Sequence, residues 1–182
     1  EAAVERKGST FVLAQDYPAT PFTYTIVSYD CDAGFNAAAD RRFGGWIDTA
    51  SPAHYLKLPE VSERLRQLAG EITAGKESDL EKARTLRDYL VNNCTYEVVA
   101  DATPAGREVV DYFLFEQKKG HCEYYAGALT VLARLNHLPA RVATGFSTGR
   151  YNAATQQHEV GEDDTYAWTQ IFIAGRGWMT FD

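Results

Sequence analysis

The sequence predicts an α+β fold. Three observations carry this expectation: segments rich in β-branched and aromatic residues near the start, apolar residues at helical spacing through the middle, and alternation with period two towards the end. In order, Thr10–Ala14 and Pro21–Tyr29 read as strands because Thr, Val, Ile, Phe and Tyr suit a pleated, half-buried surface. Gly34, Gly44, Gly45 and Pro52 punctuate loops after them. Residues 1–54 are therefore expected to form a β-rich extension packed on the main domain, residues 55–182.

Val61, Leu65, Leu68, Ala69 and Ile72 share one helical face, with Gly70 and Gly75 bracketing its end. Ser78-x-x-Glu81 is a capping box, in which each side chain satisfies the other residue's backbone N–H. The helix it opens carries Leu80, Ala83, Leu86 and Leu90 on one face and ends near Asn92–Asn93. Lys76 to Arg87 mixes both charge signs, which a solvated face explains. Residues 100–108 contain Pro104 and Gly106 and read as loop, while Val109–Glu116 fits either a short helix or a strand. A strong helix follows Gly120: over Cys122–Leu135, Tyr125, Ala128, Leu129, Leu132 and Leu135 face the core, and Leu138–Pro139 stops it. Arg141–Phe146, Tyr166–Ile173 and Trp178–Asp182 read as strands, with a turn at residues 174–177.

The chain has 182 residues and a net charge of −7, from 18 Lys+Arg against 25 Asp+Glu. A chain of this length buries roughly 70% of its unfolded surface and needs no staples to fold. The acidic balance counts against nucleic acid as a partner, because phosphate binding needs a basic surface. No apolar run approaches the ~20 residues of a membrane helix, so this segment is not expected to cross a bilayer. It begins at Glu1, carries no signal peptide and has Met179 as its single Met, so it reads as a segment of a longer protein.

Cys31, Cys94 and Cys122 lie far apart and form no CxxC pair, so a zinc site is not expected. An odd count permits one disulfide and one free thiol. Outside the cytoplasm Cys31–Cys94 would be the pair; otherwise both are small buried residues. Cys122 stands apart because it starts a helix. First-turn N–H groups are unpaired there and the dipole is positive, which favours a thiolate and can hold an oxyanion once sulfur attacks a carbonyl. Gly120 lets a substrate chain approach the backbone. By spacing alone, a buried structural cysteine is the simpler reading.

The motifs around Cys122 change that balance. Gly120-His121-Cys122-Glu123-Tyr124-Tyr125-Ala126, then Leu138-Pro139-Ala140-Arg141-Val142-Ala143-Thr144-Gly145-Phe146, then Tyr166-Ala167-Trp168 and Gly175-Arg176-Gly177-Trp178-x-x-Phe181-Asp182 follow in order. Together they resemble the transglutaminase-like superfamily. Upstream, Tyr55-Leu56-Lys57-Leu58-Pro59, Ile72-Thr73-Ala74-Gly75 and Lys82-Ala83-Arg84-x-Leu86-x-x-Tyr89-Leu90 resemble its branch of bacterial multi-span membrane proteins with an extracytoplasmic domain. The resemblance covers about residues 55–182 and implies a papain-like α+β core, with a Cys-bearing helix packed on an antiparallel sheet. It implies acyl transfer through a thioester, with Cys122 as nucleophile, Asp182 as third member, and Gly120, Trp168 and Trp178 around the substrate cleft. For the two tryptophans, ordinary core packing is an equal alternative. It further implies a protein or peptide amide substrate, no cofactor, no metal, and a periplasmic or cell-surface location.

One departure matters. Where the family carries His, this chain carries Tyr166. Imidazole takes the thiol proton, pairs with the thiolate and protonates the leaving amine. A phenol with an ordinary pKa of ~10 is neutral at pH 7 and holds no positive charge. His54 is read as a surface-loop residue, His121 as a neighbour pointing elsewhere, and His137 as a helix C-terminal residue. If Val160 pairs with Thr165 across a turn at residues 161–164, His158 points away from Tyr166; a shift of one residue would bring it to the same face. Glu159, Glu162, Asp163 and Asp164 lack the spacing of a calcium loop and read as a solvated turn. Three functions remain open: an altered or slow Cys-dependent acyl-transferase or amidase, an inactive module that binds peptide or protein, and an acyl trap.

Overall fold

The computed structural model describes the strand backbones at residues 4–7 and 10–13 and the chain from residue 52 to 182. The chain divides into two compact units, residues 1–51 and 52–182. In the first, strands β1 (Val4–Lys7) and β2 (Thr10–Leu13) form an antiparallel pair with Val4 opposite Leu13 and Lys7 opposite Thr10. The Thr10–Ala14 segment is thus a strand over Thr10–Leu13, and its partner went unread in the sequence. Pro21–Tyr29, Cys31 and the glycine loops at 34, 44 and 45 lie outside the described residues.

In the second unit, a 3-10 turn (Pro52–Leu56) precedes helix α1 (Glu63–Ile72). Ser62 caps α1 by accepting the Leu65 N–H at 3.2 Å, and Gly70 lies inside the helix. Helix α2 (Asp79–Asn93) opens with the expected capping box: Ser78 Oγ accepts the Glu81 N–H at 3.2 Å, and Glu81 accepts the Ser78 N–H at 3.4 Å. The segment left open as helix or strand is helical. Helix α3 (Val109–Tyr112) runs into a π-turn, Phe113–Gln117, closed by the Lys118 N–H donating to the Phe113 carbonyl at 2.8 Å. Asp111 in α3 is buried, and Arg64 Nε donates to both its carboxylate oxygens at 3.1 and 3.0 Å. Ser62 also donates to it, so the α1 cap and the α3 carboxylate brace each other.

Two-residue strands β3 (Thr95–Tyr96) and β4 (Lys119–Gly120) pair in parallel, with Tyr96 opposite Gly120. Helix α4 (Cys122–Leu135) is the centre of this unit. From Ala126 to Ala133 only Gly127 escapes full burial, so this helix is covered nearly all round. It ends at Asn136 and His137, where His137 adopts φ 60° and the Leu138 N–H donates to the Ala133 carbonyl at 3.0 Å. Leu65, Leu86, Leu90, Phe113, Leu132, Leu138 and Ile171 are the large, almost fully enclosed apolar side chains of the core.

The sheet holds β5 (Ala140–Phe146), β8 (Thr165–Ile173) and β9 (Gly177–Phe181) in the antiparallel order β5-β8-β9. Along β8 the buried residues alternate as Ala167, Thr169, Ile171 and Ile173, and this face lies against α4. Thr169 Oγ1 donates to the Ala126 carbonyl at 2.9 Å, tying sheet to helix one turn past Cys122.

The expected pairing of Val160 with Thr165 is not formed. Strand β7 (Gln157–Glu159) pairs with β6 (Arg150–Asn152), setting His158 opposite Tyr151, while β8 pairs with β5 and β9. The reason lies in composition. Gln157, His158 and Glu159 are all exposed and polar, so they offer no apolar face to continue the buried side of β8.

Candidate active site

Three local features place Cys122. It is the first residue of α4, with His121 in extended conformation before it. The Glu97 N–H donates to the Gly120 carbonyl at 2.9 Å and the Thr95 N–H to the Lys118 carbonyl at 2.8 Å, fixing the approach to the helix against β3. Gly120 is buried, and a Cβ there would meet the Tyr124 Cβ at 2.8 Å. Helix packing therefore leaves no room for a side chain at Gly120.

Cys122 opens into a cleft of about 310 Å3. Tyr166 and Asp182 line the same cleft, and the Tyr166 hydroxyl donates to Asp182 Oδ1 and Oδ2, at 3.0 Å each. The structure thus brings Cys122, Tyr166 and Asp182 to one cavity. Burial chiefly pushes the Tyr166 phenol well above its ordinary value, and the Asp182 carboxylate that accepts its hydrogen bond pushes it further. Trp168 also lines the cleft, its indole lying over Gly145 so that a Cβ there would come within 2.9 Å of the ring. Trp178 does not line this cavity. It stands opposite Phe172 in the β8–β9 ladder, packs edge-on against Tyr55 at 4.8 Å and lies under the Arg141 guanidinium at 4.3 Å. It shares the sheet face of Tyr166 and Trp168 but lies further along the ladder than the residues that line the cleft.

None of the four histidines lines the cleft. His54 is exposed beside Tyr55, His121 packs edge-on to Tyr124 at 4.9 Å, and His137 is exposed beyond the end of α4. His158 Nδ1 donates to the Thr148 carbonyl at 2.9 Å, in the β6–β7 pair. Among the described residues, no three His, Cys, Asp or Glu side chains are grouped to hold a metal ion.

The cleft also contains residues that sequence reasoning missed. Tyr96 comes from β3 and lines the same cleft as Cys122. Burial is the main cause that raises its pKa. The Tyr125 phenol is pushed up to about 12, by burial first and then by Cys94 and Tyr96. Cys94 lines the cleft as a free, half-buried thiol raised by burial, and its suggested disulfide partner Cys31 lies outside the described residues. Arg87, Leu90 and Val91 complete that wall. Their spacing with Cys94, at i, i+3, i+4 and i+7, was the available signal.

A family model described as the transglutaminase-like superfamily matches residues 66–182. The chain is 34% identical over 135 residues to the Bacillus subtilis (strain 168) protein YebA, covering 70% of this chain and 18% of that protein. It is 32% identical over 138 residues to the protein-glutamine gamma-glutamyltransferase of Pseudomonas aeruginosa, covering 75% of this chain and 20% of that protein. The chain thus spans about a fifth of the length of these relatives. The crystal structure of the periplasmic domain of TgpA from Pseudomonas aeruginosa superposes with a TM-score of 0.67 at 30% identity, over 75% of this chain and 47% of that one. The mixed helix-and-sheet architecture, with its antiparallel sheet against a Cys-bearing helix, matches that fold. No helix among the described residues is long and apolar enough to cross a membrane. This chain belongs to the transglutaminase-like superfamily.

Proposed function

We propose that this domain carries out slow acyl transfer or amide hydrolysis on protein or peptide amides, with Cys122 as nucleophile and Tyr166–Asp182 in place of an imidazole–carboxylate pair. The observation that carries the reading is the shared cleft. A thiol at a helix N-terminus opens into the same cavity as a phenol hydrogen-bonded at 3.0 Å to a carboxylate. The likeness to a protein-glutamine gamma-glutamyltransferase supports glutamine carboxamides as the amide class. The likeness to a periplasmic domain supports an extracytoplasmic location for this domain.

In this chemistry the sulfur of Cys122 bonds to the amide carbon and the carbonyl oxygen becomes an oxyanion facing first-turn N–H groups. The C–N bond then breaks, the proton given up by the thiol reaches the leaving amine through solvent, and a thioester remains for water or an amine to resolve. The difficulty is the proton. The Tyr166 phenol keeps its own proton at neutral pH and directs it to Asp182, so it neither removes the thiol proton nor carries positive charge beside the thiolate. Loss of general acid–base help costs typically 10²–10⁴-fold. A second reading, binding without turnover, is favoured by the same hydrogen bond and by the absence of histidine from the cleft lining.

The test is a comparison of wild type, Tyr166→His and Cys122→Ala on a glutamine peptide, together with Cys122 alkylation by iodoacetamide from pH 5 to 9. The expected result is slow turnover that disappears in Cys122→Ala and rises about 10²–10⁴-fold in Tyr166→His. No turnover by either wild type or Tyr166→His, with the same alkylation profile in both, would leave the binding module as the function.

A further inference from the structure

Along α2, Arg87, Leu90, Val91 and Cys94 form a single helical stripe, and all four line the cleft. The stripe runs towards the nucleophile, because Cys94 leads into β3, whose Tyr96 pairs with Gly120 two residues before Cys122 and lines the same cleft. Seven helical residues rise about 10 Å, which sets Arg87 about that far from the Cys94 end. Leu90 and Val91 lie between, and Leu129 and Phe181 add further apolar wall to the same cavity.

Arg87 is the one cationic side chain among the lining residues. Its Nε donates to the adjacent Asp88 at 2.6 Å, and among the described residues its Nη groups have no partner. The side chain is 38% exposed, so the free edge of the guanidinium is open to a ligand. That planar fork suits a carboxylate. The other charge of the cleft is Asp182, at the Tyr166 end. A substrate acid is repelled there and can take two hydrogen bonds at the Nη edge of Arg87 that Asp88 leaves free, which favours one direction for a bound chain.

We propose that Arg87 is a specificity residue, binding a substrate carboxylate about three residues from the amide carbonyl that Cys122 attacks. The proposal rests on the acyl-transfer reading above. An extended chain advances ~3.3 Å per residue, so three residues span the length of the α2 stripe. The intervening side chains are apolar, matched to Leu90, Val91 and Phe181.

Peptide alkylators test this without requiring turnover. Iodoacetyl-Leu-Leu-Asp-amide and iodoacetyl-Leu-Leu-Asn-amide each transfer their acetyl carbon to a thiolate with loss of iodide, and mass spectrometry reads the rate at Cys122. Wild type is expected to react about tenfold faster with the Asp probe than with the Asn probe. The ratio falls to about one in Arg87→Ala, and Arg87→Glu favours a Lys-bearing probe instead. The wild-type preference also shrinks in 1 M salt. Equal wild-type rates at Cys122 overturn the proposal. Resistance of Cys122 to every probe defeats the acyl-transfer reading instead. Tryptophan fluorescence then measures binding of the acetyl-capped Asp and Asn peptides: an Arg87-dependent preference sustains the carboxylate site, and equal affinities overturn it.

Discussion

Two glycines flank the site for different reasons, and their substitutions separate those reasons. At Gly120 a Cβ would meet the Cβ, Cγ and Cδ2 of Tyr124, each at 2.8 Å. The Tyr124 Cβ is bonded to the backbone in the first turn of α4 and cannot swing away, so Gly120→Ala must displace the helix start that carries Cys122. At Gly145 the new Cβ would lie 2.9 Å from the outer edge of the Trp168 ring, which a χ rotation relieves. Urea unfolding is expected to show a loss of about 1–3 kcal/mol for Gly120→Ala and about 1 kcal/mol for Gly145→Ala. Tryptophan emission is expected to change more in Gly145→Ala, because the ring itself moves. The reverse order would mean that Tyr124 yields more readily than Trp168.

At the scale of elements, α2 connects local sequence to the cleft. Its first turn is held by the Ser78–Glu81 box, and its later part presents Arg87 to Cys94. Ser78→Ala removes both the acceptor of the Glu81 N–H and the donor to the Glu81 carboxylate and is expected to cost about 1 kcal/mol in thermal or urea unfolding, while Ser78→Thr, which keeps both, restores most of it. Cys122 alkylation is expected to stay unchanged, since Cys94 and Tyr96 anchor the other end of the helix. An equal loss in Ser78→Thr would show that the cap is not the source of the stability.

The elements that the sequence made legible share a physical reason. α1 and α2 each bury one regular face and β8 buries alternate residues, so their periodicity is written in the residue order, while α4 is apolar nearly all round over a run too long for a strand. β3 and β4 have two residues each and no periodicity to read. The π-turn at Phe113–Gln117 packs a five-residue loop against the core, so its apolar spacing suits neither helix nor strand. The β6–β7 pair is fully polar along β7, and only tertiary context selects its partner. In the site, Cys122, Tyr166 and Asp182 were legible as motif positions. Tyr96 was hidden because its place beside Cys122 depends on a parallel pairing between distant segments. Arg87 was hidden because a charge on a helix reads as solvated until the opposite wall of a cleft is known.

For the molecule as a whole, the displaced ionisations bound the pH range over which the fold is stable. The Arg64 guanidinium beside Asp111 holds its carboxyl below the ordinary carboxylate range, chiefly by hydrogen bonding, with Ser62 adding a second donor and burial opposing both. The folded value therefore lies below the unfolded one of ~3.9. The stability this contributes is present above that pH and is lost as pH falls through the folded value. Tyr125 and Tyr166 are displaced upward, so their contribution is complete below the unfolded phenol value of ~10. It is lost as pH rises through their folded values, which for Tyr125 is about 12. The Cys94 thiol, also displaced upward by burial, begins to lose its contribution above the unfolded thiol value of ~8.5, so the fold is expected to hold a stability plateau between about pH 4 and pH 8.5. Asp111→Asn isolates the acid limb, because it removes the charge and keeps one carbonyl oxygen for Arg64. At pH 7 it is expected to cost about 1–2 kcal/mol, from the loss of a charge-assisted hydrogen bond at a buried carboxylate. Between pH 4 and pH 2.5 the variant should lose less stability than wild type, so the two curves converge. Urea midpoints at pH 7, 4 and 2.5 measure this directly. Curves that stay parallel to pH 2.5 would place the acid sensitivity in other carboxylates and leave the Asp111 brace a neutral contact.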